Sequence, residues 1–84
     1  MTFSDTESGI MSRFHQKCRI AGGAKPGYNL RRQAIEAGLA DSPGSVVDEG
    51  LTSLMEKGLL VSNEAGDRFS LTATGVEAID TEFA

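Results

Sequence analysis

Cysteine is nearly absent from this chain: Cys18 is the one thiol among 84 residues. A single cysteine excludes an internal disulfide and any zinc site built from cysteines. Histidine is as scarce, and His15 is the one imidazole. That leaves little for acid–base chemistry near neutral pH. Long apolar runs are missing as well. The longest, such as Leu59-Leu60-Val61, reach three residues, far short of the ~20 that a transmembrane helix needs. No membrane partner is expected. Thr2 to Glu7 is polar and carries two acids, Asp5 and Glu7, where a secretory leader would carry basic residues. The expected location is therefore the cytoplasm, which also suits a free thiol.

What is present fits one small globular domain. Hydrophobic residues make up 39% and charged residues 24%, a balance that can fold. A chain of this size buries about 60–65% of its unfolded surface, so the core is thin. The net charge of −4 conceals a split. Residues 1–33 hold six bases (Arg13, Lys17, Arg19, Lys25, Arg31, Arg32) against two acids, a balance of +4. Residues 34–84 hold two bases, Lys57 and Arg68, against ten acids, a balance of −8. Any face that meets a polyanion has to draw on the first part of the chain.

Apolar spacing and cap residues predict four helices and a hairpin. Residues 4–21 carry Ile10, Met11, Phe14, Cys18 and Ala21 on one stripe, with Ser4 or Asp5 as the cap and Gly22-Gly23 as the stop. Pro26-Gly27 marks a turn. Asn29 is expected to cap a short helix over 30–37, ended by Gly38. Ser42-Pro43 announces the next helix, over 43–57, with Val47, Leu51, Leu54 and Met55 inward and Gly58 beyond its end. Its outer face carries Ser45, Asp48, Glu49, Thr52 and Glu56. Residues 59–71 read as a hairpin turning at Asn63–Asp67. Thr72 caps a last helix over 72–82, with Val76, Ile79 and Phe83 inward.

No constellation points to catalysis. His15 and Cys18 are three apart on one helical surface, but a metal site needs more ligands than they supply. Cys18 lies on the apolar stripe, where a thiol packs as a small hydrophobe. Gly22-Gly23-Ala24-Lys25 lacks the strand before it and the hydroxyl residue after it that a phosphate loop requires. The expectation is a binding protein without cofactor or metal, and not an enzyme.

The order helix, helix, helix, hairpin, helix carries a resemblance. Leu51-x-x-Leu54-x-x-x-Gly58-Leu59-Leu60-Val61 and Asp67-Arg68-Phe69-Ser70-Leu71-Thr72-x-x-Gly75 resemble the third-helix exit and the wing return of the winged helix-turn-helix family. Over residues 29–80 the chain is similar to small bacterial regulators of the multiple-antibiotic-resistance and phenolic-acid repressor types. The resemblance implies a mainly helical winged helix with a small hairpin, and transcription regulation through duplex DNA. It places the third helix in the major groove and the wing on the backbone. Carried over to this sequence, Arg31 and Arg32 would anchor phosphates. Ser45 and Thr52 would enter the groove, Arg68 would serve the wing, and Lys25 and Tyr28 would flank the second helix. Asp48 and Glu49 depart from the family pattern, because acids meet phosphate repulsion. A second expectation follows from them. Asp48, Glu49, Glu56, Glu64 and Asp67 form an acidic surface suited to a basic protein partner, as in an inhibitor that imitates DNA. Family members often pair through their first and last helices, so a homodimer through Ile20, Ile10 or Met11, and Phe83 is also expected.

Overall fold

Ser4 starts the first helix by a reciprocal capping box. Its hydroxyl accepts the Glu7 N–H at 3.1 Å, and the Glu7 carboxylate accepts the Ser4 N–H at 2.9 Å, which satisfies two of the free donors at a helix start. The computed structural model describes residues 2–83. Helix α1 (Asp5–Ile20) ends where Gly23 N–H reaches back to the Cys18 carbonyl at 2.7 Å. The chain reverses through residues 21–28 and enters a strand, β1 (Asn29–Arg31), followed by α2 (Arg32–Ala37). Helix α3 (Gly44–Glu56) comes next, with Pro43 as its N-cap. Its exit is a Schellman motif. Gly58 takes φ 77°, its N–H meets the Met55 carbonyl, and the Leu59 N–H meets the Leu54 carbonyl at 3.0 Å. The motif turns Leu59 into the core, where it is fully buried. Strands β2 (Leu60–Ser62) and β3 (Arg68–Leu71) form a hairpin, and α4 (Ala73–Glu82) closes the chain. Thr72 caps α4 by accepting the Gly75 N–H at 3.0 Å.

The fold is mainly helical with a three-stranded antiparallel sheet in the order β1–β3–β2. Strand β1 corrects the sequence reading, which started the second helix at residue 30. Asn29 caps no helix. It pairs with Ser70, while Leu30 pairs with Phe69 and Arg31 with Arg68. The reason is tertiary. Three residues are too few to show a period of two, and β3 offers a free edge that the returning chain satisfies. Gly27 N–H bonds the Leu71 carbonyl, and Leu71 N–H bonds the Tyr28 carbonyl.

One face of the sheet carries Leu30, Leu60, Phe69 and Leu71 onto the core, against Phe14, Ile35, Leu54, Leu59 and Ile79. Each such apolar side chain contributes about 1.5–3 kcal/mol when fully buried. Helices α1 and α3 cross where Gly50 leaves room. A Cβ there would lie 2.7 Å from Thr6 Cγ2 and 2.9 Å from Ile10 Cδ1. Ile10 and Met11 are completely buried, which corrects their expected place on a pairing surface. Phe83 is half-buried and rests against Phe3, ring centroids 5.9 Å apart. Ile20 stays 84% exposed.

Candidate functional site

Strand β1 and helix α2 run into each other at Arg31 and Arg32, so alternation along the backbone sends these two side chains in different directions. Arg32 turns toward α3. Its Nε donates to Glu36 Oε1 at 2.6 Å, its Nη1 bonds Asp48 Oδ1, and its Nη2 bonds the Gly44 carbonyl at 3.1 Å. The bonds from Glu36 and Asp48 raise the guanidinium pKa above its already high ordinary value. Three of its five donors are thus committed within the protein. Arg32 is a clamp between α2 and the first turns of α3, and it neutralises the Asp48 carboxylate.

Arg31 turns to the outer face of the sheet. It stands directly opposite Arg68 in the β1–β3 ladder. Arg31 is exposed, and its side chain makes no ion pair with the described residues. Arg68 donates to Asn29 Oδ1 at 3.1 Å and has no carboxylate partner among the described residues. Like charges directly opposed across a ladder destabilise it unless something neutralises them. The two arginines, with Arg32, Gln33, Glu36 and Asp67, line a cleft of about 410 Å³ between β1, α2 and the hairpin.

The remaining expected residues lie around this cleft or away from it. Ser45, Asp48, Glu49, Thr52 and Glu56 are all exposed on α3, at spacings that share one helical face. Lys25 is exposed in the loop after α1, and Tyr28 is half-buried against the core. Glu64 stands at the exposed hairpin tip. Asp67 accepts from Asn63 Nδ2 at 2.7 Å, and its N–H donates to Asn63 Oδ1 at 3.1 Å. Gly66, at φ 73°, completes that turn. Arg13 fastens α1 to α2, its Nε donating to the Ala34 carbonyl at 2.8 Å. Lys17 and Arg19 form no ion pair with the described residues.

Two arrangements escaped the sequence reading. The first is the Arg32 clamp. The i, i+4 spacing of Arg32 and Glu36 is a recognisable signal for one half of it, but the Asp48 half depends on how α2 meets α3. The second is Glu7, an acid in the first turn of α1 that is only 4% exposed. It accepts from Lys57 Nζ at 2.7 Å and from the Ser53 hydroxyl at 2.8 Å. Burial alone would raise its pKa. The Lys57, Ser4 and Ser53 hydrogen bonds outweigh burial and hold the carboxyl at about 2, below its ordinary 4.5. Burial pushes the Cys18 thiol up, which makes it a poor nucleophile.

No helix of the structure is long and apolar enough to cross a membrane. In the comparisons with known proteins, no family model matches the chain, and no curated protein or solved structure matches it.

Proposed function

We propose that the chain is a winged helix-turn-helix protein that binds duplex DNA as a small cytoplasmic transcription regulator. The observation that carries the reading is the meeting of Arg31, Arg32 and Arg68 at one cleft beside the N-terminal turns of α3. The order α1, β1, α2, α3, hairpin supports it: α2 and α3 follow one another through a short connection, as the helices of a helix-turn-helix unit do, and the hairpin after them would serve as the wing. In this mechanism Arg31 and Arg68 hold backbone phosphates through bidentate guanidinium contacts. Arg32 orients α3 and cancels the Asp48 charge that would otherwise face the backbone. Ser45 and Thr52 offer hydroxyls to the groove, and Lys25 adds a peripheral phosphate contact.

The test is a fluorescence anisotropy titration against random-sequence duplex at about 50 and 200 mM salt, a range over which phosphate contacts reveal themselves. Expected is binding that weakens steeply with salt, and a shallower salt slope for R31Q with R68Q. No binding at low salt would remove the reading. A second reading then gains ground, because Glu49 and Glu56 on α3 form no ion pair with the described residues. That acidic face, with Glu64, fits a basic protein partner. Capture of such a partner, lost in E49K with E56K, would establish it.

A further inference from the structure

We propose that the cleft between β1, α2 and the hairpin is a binding site for a free phosphorylated polyol, a sugar phosphate monoester, distinct in chemistry from the duplex backbone. Arg31 and Arg68 would hold the phosphate. They are directly opposed on the outer face of the ladder and have no carboxylate partner among the described residues. A dianion between them turns a repulsive pair into two charge-assisted contacts. Arg32 cannot serve equally, because its fork is committed to Glu36, Asp48 and Gly44.

The other walls fit the sugar of a free ester. Glu36 and Asp67 share the cleft with the arginines. Each uses one carboxylate oxygen within the protein, Glu36 for Arg32 and Asp67 for Asn63. The second oxygen of each has no hydrogen-bond partner among the described residues. These are acceptors that call for donors. A sugar phosphate presents one dianion for the arginines and hydroxyl donors for the carboxylates. Gln33 supplies an amide able to donate and to accept. At about 410 Å³ the cleft is in the size range of small-molecule sites, which runs from roughly 300 Å³. Both proposed ligands need Arg31 and Arg68, so the ester would displace duplex.

The experiment titrates the intact protein with ribose 5-phosphate, inorganic phosphate and ribose, following the arginine side-chain Nε–H resonances by NMR. Expected are saturable shifts at Arg31 and Arg68, with Arg19 unmoved as the distant reference. Ribose 5-phosphate should bind more tightly than inorganic phosphate, and ribose alone should give no shift. R31Q or R68Q should each weaken the ester by about tenfold or more, since a charged hydrogen bond is worth roughly 1.5–3 kcal/mol. E36Q with D67N should erase the advantage of ribose 5-phosphate over inorganic phosphate. Non-saturating shifts, or shifts of the same size at Arg19, overturn the proposal, and the wild-type titration decides this even if a variant fails to fold. A parallel duplex titration separates the two readings. Duplex binding without ester binding overturns this site and keeps the regulator. Ester binding without duplex binding keeps this site and removes the regulator.

Discussion

Helix α3 is tied to its neighbours by an ion pair at each end, and the two are built differently. Near its start, Asp48 pairs with Arg32 at the surface, with the Asp48 side chain 59% exposed. Just past its end, Lys57 pairs with Glu7, whose side chain is 5% exposed. The outer pair sits in high dielectric, where measured values fall at roughly 0–1 kcal/mol. The inner pair is a network. Glu7 also accepts from Ser53 and from the Ser4 N–H, and the Lys57 ammonium also bonds the Thr2 carbonyl and lies 5.3 Å from the centroid of the Phe3 ring. Removing one member of such a network leaves a desolvated charge with too few partners. The same formal interaction therefore fixes the α1–α3 seam at one end and adds little net stability at the other, beside the arginine cleft.

The largest effect expected from breaking this contrast is at the inner end. K57M strands the Glu7 carboxylate and should destabilise the fold by about 3 kcal/mol, read as a lower urea midpoint at unchanged slope. Equal losses for K57M and D48N would break the comparison. Acid sharpens it next. Glu7 titrates at about 2 when folded and at its ordinary 4.5 when unfolded. Its contribution is present above pH 4.5 and drains away as pH falls toward 2, a loss on the order of 3 kcal/mol or somewhat less. Urea titrations stepped through that window should show the loss in the wild type and a much smaller one in E7Q. Gly50 isolates packing from charge. G50A sets a methyl group 2.7 Å from Thr6 Cγ2 and should cost about 2 kcal/mol through overpacking, checked by thermal melting. The smallest effect belongs to D48N, under about 1 kcal/mol and shrinking further in high salt, measured by urea titration at two ionic strengths.

Legibility followed the range of the interactions. Ser4, Gly58 and Gly66, and the Thr72 cap on Gly75, act within five positions along the chain, and cap and turn chemistry of that reach can be read from a string. The apolar stripe of α1 was equally plain. Strand β1 was not. Asn29-Leu30-Arg31 reads as a helix start until Phe69 and Ser70, some forty residues on, supply the partner edge. Arg31 and Arg32 were marked as one basic pair. Their division between an open cleft and a closed clamp follows from the strand-to-helix change between them, which no local pattern announces. Gly9 is another case: by helix propensity it only weakens α1, yet a Cβ there would come 2.6 Å from Leu39 Cδ2, so its small size admits Leu39 from the α2–α3 turn.

By itself the sequence determined the helices, the hairpin and the charge split, because short-range caps, turn glycines and apolar periodicity act within a few residues. The tertiary structure alone decided which charges are free. Whether an arginine is spent on a carboxylate or left facing its like depends on which segments meet. Here α2 meets α3 through Arg32, α1 meets α3 through Glu7, and β1 meets β3 with Arg31 and Arg68 opposed.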